Sequence, residues 1–139
     1  MGFEVFSVTP DMLPRFERVS EDVFDEDIDT ARLSTFIADP SHHMVCAAAG
    51  DMVIGQARGL VVLNPDGPPS LYIDNLGITP AWFRQGVATR LLDRLFAWGA
   101  SRGARATWVL TETCNEGAID LYKRHGLHPR KVMICERPP

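Results

Sequence analysis

The sequence predicts an α/β fold, with a mixed central sheet and helices on both of its faces. Strand and helix patterns alternate along the chain in the order β-α-α-β-β-β-α-β-α-β, which is typical of this class. The chain has 139 residues, too few for two independent cores, so residues 1–139 are expected to form a single domain. Hydrophobic residues at 45 % and charged residues at 23 % match an ordinary globular protein rather than a disordered or fibrous one.

The N-terminal part of the chain is predicted to form one strand and two helices. Residues 3–8 have strand character. Apolar residues then recur at roughly helical spacing as far as Phe24, which predicts the first helix. Residues 30–38 predict a second helix, which Asp39-Pro40 ends.

The middle of the chain is predicted to form three consecutive strands. Two apolar runs, residues 44–49 and 52–63, are joined by Gly50-Asp51, a short link that suits an antiparallel hairpin. Residues 65–69 contain three prolines and a glycine and therefore predict a turn. Residues 71–78 predict the next strand.

The C-terminal part is predicted to alternate helix and strand twice. Residues 86–101 carry apolar side chains at helical spacing and predict a long helix. Residues 106–111 predict a strand that lies parallel to residues 71–78 and diverges from it at the C-terminal ends, because the helix is a crossover of the required length. Residues 116–123 predict a helix, and residues 132–135 predict a last short strand.

Composition excludes several classes of partner. The 14 basic and 18 acidic residues give a net charge of −4, whereas nucleic-acid-binding domains are usually basic. No segment approaches the roughly 20 apolar residues that span a membrane, and the first twenty residues lack the apolar run of a signal peptide. We therefore expect a cytoplasmic protein with neither nucleic acid nor membrane as a partner. The three scattered cysteines are expected to be free thiols.

The charges are unevenly distributed along the chain. Residues 1–79 contain 4 bases and 13 acids, a net charge of −9, whereas residues 80–139 contain 10 bases and 5 acids, a net charge of +5. Six of the acids lie within residues 20–29, hereafter the acidic segment. The segment is interpreted either as a solvated surface or as a cation-attracting rim beside a binding site.

The first segment that indicates chemistry is residues 76–89. It joins a strand end to a loop and an amphipathic helix, a junction that offers unpaired backbone amides and a positive dipole end to phosphate. The residues that would surround a phosphate group are Arg84, Gln85, Gly86, Val87, Ala88 and Thr89.

The second segment is residues 115–127, which read Asn-Glu-Gly-Ala-Ile-Asp-Leu-Tyr-Lys-Arg-His-Gly-Leu. Together the two segments resemble the two signatures of the GCN5-related N-acetyltransferase (GNAT) superfamily, in the right order and with one helix and one strand between them. The resemblance covers nearly the whole chain and is nearest to the branch that contains the aminoglycoside 3-N-acetyltransferases. It implies the GNAT fold and acetyl-CoA as acetyl donor.

The resemblance also implies roles for backbone and side chains around the donor. The pyrophosphate would lie over residues 84–89. The backbone just past a bulge in the fourth strand would pair with the pantetheine and polarise the acetyl carbonyl, and Asn115 would reach the pantetheine unless it serves only as a helix N-cap. This backbone just past the bulge maps onto Leu76, Gly77 and Ile78.

Three side chains are candidates for catalysis. Direct transfer to an amine needs a proton acceptor for the amine and a proton donor for the departing thiolate. Asp74 and Glu112 are the base candidates, since the resemblance puts each at or beyond the end of one of two diverging strands; the alternative is that both are ordinary solvent-exposed carboxylates. Tyr122 occupies the tyrosine position of the superfamily and is the acid candidate, with a core aromatic residue as the alternative.

Two residues depart from the pattern. Phe83 stands three residues before Gly86, where the superfamily usually has Gln or Arg, so Arg84 and Gln85 would have to substitute in the pyrophosphate contact. Asn75 stands immediately before Leu76, where the aminoglycoside-modifying branch tends to have Asp. An amide cannot act as a base, so Asp74 or another acid takes that role or the substrate class differs.

The acceptor is predicted to be a small amine, aminoglycoside-like or polyamine-like. The reason is the acidic segment, in which Asp25, Glu26 and Asp27 would attract a cationic substrate. The alternatives are acetylation of a protein amine and a non-catalytic CoA-binding regulatory module. His42, His43 and Cys46 lack an evident fourth ligand, so no metal site is predicted. Trp82 and Phe83 are interpreted either as an exposed lid or dimer contact or as a plug beneath the helix, so a homodimer is left open.

Overall fold

A computed structural model describes residues 2–139 and contains one five-stranded sheet in the order β1-β2-β3-β4-β5. The strands are β1 (Glu4–Ser7), β2 (His42–Ala49), β3 (Met52–Asn64), β4 (Gly67–Ile78) and β5 (Ala106–Val109). The helices are α1 (Thr30–Ala38), α2 (Val87–Ser101) and α3 (Glu116–Arg124), with 3₁₀ helices at Pro10–Glu17 and Pro80–Trp82.

The sheet is mixed, as the sequence predicts. Strands β1 to β4 form antiparallel neighbours, and β4 pairs with β5 in parallel through the crossover helix α2. This parallel ladder is short, running from Ser70 opposite Ala106 to Ile73 opposite Val109. Beyond Ile73, β4 continues to Ile78 while β5 has ended, which confirms the predicted divergence.

Helices cover both faces of the sheet, which confirms the predicted architecture. On one face α2 and α3 pack against the strands around Leu91, Leu95 and Tyr122. On the other face the 3₁₀ helix Pro10–Glu17 and α1 form a second core through Phe16 and Leu33. The protein therefore buries apolar side chains in two layers, separated by the sheet.

The predicted first helix, continuing to Phe24, is wrong. The 3₁₀ helix ends at Glu17, and Pro14 inside it has no backbone N–H to continue an α-helical ladder. The next backbone groups are taken by the sheet, since the Val53 amide donates to the Arg18 carbonyl and the Ser20 amide to the Val53 carbonyl. The acidic segment consequently consists of turns and extended chain up to α1.

The predicted last strand, residues 132–135, is also wrong. The structure has neither helix nor strand in residues 125–139, and Met133 is 87 % exposed there. An apolar run forms a strand only where a neighbour satisfies its backbone, and this run has none among residues 2–139.

The predicted turn at residues 65–69 is too long. Strand β4 already begins at Gly67, and the ladder skips from Asn64 opposite Gly67 to Val62 opposite Ser70. The two prolines between lie in this irregular stretch, where their missing N–H groups cost no ladder hydrogen bond. Within residues 2–139, no helix combines the length and apolar character needed to cross a membrane.

Candidate functional site

The central feature is a gap between β4 and β5. Arg58 lies opposite Asn75 and Gly59 opposite Ile73, so that Asp74 is the extra residue of a β-bulge in β4. The bulge falls immediately after the last residue that pairs with β5. From there Leu76, Gly77 and Ile78 pair with β3 on one side only, and within residues 2–139 no strand pairs with their other side. Their backbone groups on that side are available to a ligand.

A stacked aromatic pair marks the point where the two strands separate. Tyr72 and Trp108 lie opposite each other in the parallel ladder, and their rings stack with centroids 4.1 Å apart. The contact holds the strands together just before the bulge, because aromatic stacking adds to the short ladder.

A second group of unpaired amides lies at the N-terminus of α2. The first hydrogen bond of the helix runs from the Arg90 amide to the Gly86 carbonyl. None of the six amides of residues 84–89 donates a hydrogen bond within residues 2–139. Arg84 and Gly86 have positive φ values of 61° and 82°, which turn the chain so that successive amides face outward. The loop is exposed and is ready to bind an anion.

The two aromatic residues before this loop have different surroundings. Trp82 packs against the ring of Phe3 in an edge-to-face contact at 5.8 Å and joins the core on the α2 face. Phe83 is 57 % exposed. Of the two alternatives left by the sequence, a plug and an exposed contact, Trp82 fits the first and Phe83 the second.

Tyr122 and Glu112 line one cavity. The cavity has a volume of about 1180 Å³ and lies between the C-terminal end of α2, β5, α3 and residues 127–136. Tyr122 is buried, and burial raises the pKa of its phenol, so the hydroxyl keeps its proton at neutral pH. Glu112 is exposed in the loop after β5.

Asp74 does not line this cavity. Its carboxylate is exposed at the bulge and accepts a hydrogen bond from the Arg58 guanidinium at 3.2 Å. The structure therefore brings together two of the three predicted catalytic side chains and pairs the third with a cation. Asn115 caps α3 by accepting a hydrogen bond from the Ala118 amide at 3.2 Å, and its side chain is exposed.

The acidic segment lies over the second half of β4. Val23 is buried in the core on the α1 face, whereas Asp25, Glu26 and Asp27 are exposed. A Cβ atom at Gly77 would clash with the Val23 carbonyl oxygen, so only glycine permits this approach. The segment is thus anchored beside the gap, with its carboxylates facing solvent.

Two polar residues near the gap are missing from the sequence-based site. Gln56 is fully buried and donates hydrogen bonds to the Val23 carbonyl and to Asn75, and Arg58 pairs with Asp74. Both interrupt the otherwise apolar run of β3, which is the signal that could have identified them. Within residues 2–139, no three His, Cys, Asp or Glu side chains are grouped to hold a metal ion.

Comparison with known proteins was made at the levels of family, sequence and structure. The family model described as "Acetyltransferase (GNAT) family" matches residues 7–127. No curated protein sequence matches the chain significantly.

Solved structures with the same fold include three aminoglycoside acetyltransferase structures. HMB0005 from an uncultured soil metagenomic sample has 22 % identity and a TM-score of 0.82, covering 100 % of this chain and 99 % of that one. AAC(6')-Iy in complex with the bisubstrate analogue CoA-S-monomethyl-acetylneamine has 18 % identity and a TM-score of 0.81, with coverage of 100 % and 99 %. The sisomicin complex of meta-AAC0020, also from soil metagenomic DNA, has 16 % identity and a TM-score of 0.80, with coverage of 99 % and 97 %. At these identities the likeness concerns the fold.

Substituting Gly77 with alanine tests the close approach of the acidic segment. Because the new methyl group would clash with the Val23 carbonyl, we expect Gly77→Ala to lower the free energy of unfolding by about 1–3 kcal/mol in urea denaturation. Gly67→Ala in the same strand meets no atom within 4 Å and should change it by less than about 0.5 kcal/mol. Equal effects of the two variants would contradict the packing described here.

Proposed function

The chain belongs to the GNAT acetyltransferase family and is an acetyl-CoA-dependent N-acetyltransferase, and on this premise we propose its acceptor and the roles of its residues. We propose that acetyl passes directly to a primary amine of a small cationic acceptor, aminoglycoside-like or polyamine-like. One observation carries the proposal. Two sets of backbone groups without hydrogen-bond partners, in residues 84–89 and in the second half of β4, lie near each other and near the acidic segment.

The donor is proposed to lie across these backbone groups. The six free amides at the start of α2 suit a pyrophosphate, since they combine hydrogen-bond donors with the positive end of a helix dipole. Arg84 and Gln85 add exposed polar side chains where Phe83 offers none. The free side of Leu76, Gly77 and Ile78 suits the amide-rich pantetheine arm, and the exposed side chain of Asn115 remains a second contact for it.

The proposed chemistry is a single transfer. The amine nitrogen attacks the thioester carbonyl carbon, a C–N bond forms and the C–S bond breaks. Backbone amides of β4 past the bulge stabilise the negative charge that develops on the acetyl oxygen, because they are already oriented and need no rearrangement. The amine's proton passes to a carboxylate, and the departing thiolate receives a proton from Tyr122.

Of the two carboxylates, Glu112 is the better candidate for the base. It lines the same cavity as Tyr122, whereas Asp74 lies outside that cavity and its carboxylate is paired with the Arg58 guanidinium. We propose that Asp74 and Arg58 instead brace the bulge.

Incubation of the purified protein with acetyl-CoA and a panel of amines tests the proposed function directly. Mass spectrometry should detect gain of one acetyl group on cationic small amines, with sisomicin and spermidine as the first probes. Preferential acetylation of a protein or an acidic amine would contradict the acceptor class, and acetyl-CoA binding without any transfer would indicate a regulatory module. A homodimer and a cytoplasmic location remain predictions of the sequence.

Substituting Gly86 tests the pyrophosphate position. Asp and Asn have similar shapes and both tolerate positive φ better than other side chains, but only Asp carries a charge. We expect Gly86→Asp to weaken CoA binding at least tenfold in calorimetry, because its carboxylate repels phosphate, and Gly86→Asn to weaken it by less than about threefold. Similar losses in both variants would show that the loop geometry, and not the charge, is responsible.

Removing the Tyr122 hydroxyl tests the proton donor. Tyr122→Phe should lower kcat by roughly 100-fold with little change in the KM for acetyl-CoA, since it removes an acid and almost no packing volume. The chain has only one other tyrosine, and Tyr72→Phe keeps the ring that stacks on Trp108, so it should leave kcat within about threefold. Because burial raises the Tyr122 pKa above its usual value near 10, kcat should not decline through loss of this proton below about pH 10. Unchanged turnover in Tyr122→Phe would make it a core residue only.

Neutralising the acidic segment tests the preference for cationic acceptors. The triple variant Asp25→Asn, Glu26→Gln and Asp27→Asn should raise the KM for sisomicin at least threefold without altering that for acetyl-CoA, because it removes local attraction. The difference in the KM for sisomicin between the triple variant and the parent should become smaller as ionic strength rises above 0.1 M, where exposed charges are screened over about 10 Å. Asp66→Asn, in the turn at the opposite end of β4, is the control and should leave both KM values unchanged. A triple variant that behaves like the parent would make the segment a solvated surface.

A further inference from the structure

The side chain of Gln56 connects three separate parts of the chain. It projects from β3, is 0 % exposed, and its Nε2 donates to the Val23 carbonyl at 3.0 Å and to Asn75 Oδ1 at 2.7 Å. One residue therefore joins the acidic segment, through Val23, to the residue that follows the bulge in β4.

The chemistry of these groups sets the orientation of both amides. A backbone carbonyl only accepts hydrogen bonds, so Gln56 must turn its NH₂ group toward Val23. The second N–H of that group then points at Asn75, which must accept the hydrogen bond with its side-chain oxygen. The Asn75 Nδ2 group is consequently turned the other way; its side chain is partly exposed, and within residues 2–139 no acceptor takes a hydrogen bond from Nδ2.

The arrangement leaves a polar group unsatisfied. Gln56 Oε1 is buried without a hydrogen-bond partner in residues 2–139. A buried acceptor without a donor lowers stability, and such exceptions call for an explanation beyond packing. An apolar residue of similar size would avoid this loss but would leave the Val23 carbonyl and Asn75 without their donor.

We propose that Gln56 is a positioning residue that holds Asn75 as a neutral hydrogen-bond donor to the acceptor substrate. Asn75 then binds an oxygen atom of the acceptor that can only accept a hydrogen bond, an ether or ring oxygen, while the ammonium groups of the same molecule face the acidic segment. The inference rests on the proposed function, because it assumes that the acceptor binds beside the acidic segment, at the bulge in β4.

The position of Asn75 supports this assignment. It lies one residue after the bulge, and Gln56 Nε2 links it to Val23 of the acidic segment, so a molecule that binds beside this segment at the gap meets it. An N–H donor repels an ammonium group and attracts an oxygen. The Gln56–Asn75 pair therefore selects amines that also carry oxygen groups over simple polyamines.

Asn75→Asp is the decisive variant, because it preserves shape and can still accept the hydrogen bond from Gln56. It replaces the outward NH₂ with a carboxylate oxygen, which repels an ether oxygen and attracts an ammonium. With CoA-saturated protein, calorimetry should show at least a tenfold weaker Kd for sisomicin and an equal or tighter Kd for spermidine, which has no oxygen. Wild-type affinity for sisomicin in Asn75→Asp, or parallel losses for both amines, would overturn the inference, as would failure of wild-type protein to bind sisomicin.

Gln56 is tested by its coupling to Asn75. Gln56→Leu should weaken sisomicin binding, and adding Gln56→Leu to Asn75→Ala should weaken it no further than Asn75→Ala alone, because Gln56 acts on the acceptor only through Asn75. Additive losses would contradict the positioning role. If Gln56→Leu does not fold, NMR on wild-type protein decides instead: the Asn75 side-chain NH₂ signals should shift on addition of sisomicin, and unchanged signals would overturn the inference.

The outcomes separate this inference from the proposed function. Wild-type protein that binds sisomicin without transferring acetyl would contradict the proposed acceptor, while the effect of Asn75→Asp on the Kd would still decide the role of Asn75. If wild-type protein transfers acetyl to sisomicin and Asn75→Asp binds sisomicin with the wild-type Kd, the proposed acceptor is supported and the role of Asn75 is contradicted.

Discussion

The shortness of the parallel ladder between β4 and β5 is the constraint on which the rest of the site depends. Four residue pairs hold the strands together, and the bulge at Asp74 then ends the ladder. A sheet that continued to pair would leave no free backbone in its interior, and ligands could bind only at its edges. Because β4 goes on alone, it offers free backbone groups in the middle of the protein, next to the free amides at the start of α2.

The acidic segment shows how like charges are held close together at a protein surface. Mutual repulsion opposes a compact structure, and the segment forms no helix. It is held instead by buried Val23, by the hydrogen bond from Gln56 and by the close approach to Gly77. Uncharged groups thus provide the attachment, and the carboxylates remain exposed for long-range attraction.

Local sequence patterns predicted much of the fold and the loop-to-helix junction at residues 84–89, because these features depend on neighbouring residues. Helix α1 matches its predicted bounds, and residues 84–89 are identified by a motif contained within one loop and one helix. The errors occur where the local structure depends on a strand that is distant in sequence. Hydrogen bonds with Val53 hold the chain after Arg18 in extended form, and residues 132–135 have no strand to pair with among residues 2–139. The contact between Gln56 and Asn75 is of the same kind, since it joins residues 19 apart whose register depends on the bulge.

The same short ladder also divides the protein by local stability. Strands β1 to β4 form antiparallel neighbours in sequence order and share most of the two cores. Residues 104–139 are joined to the sheet by the four residue pairs of β5, and they contribute only Leu121 and Tyr122 to the buried residues of the two cores. The free energy of opening measured by amide hydrogen exchange should therefore be lower for residues 104–139 than for strands β1 to β4. A ligand that bridges β4 and residues 104–139 would oppose this opening by mass action, and ligand binding would then be linked thermodynamically to local stability.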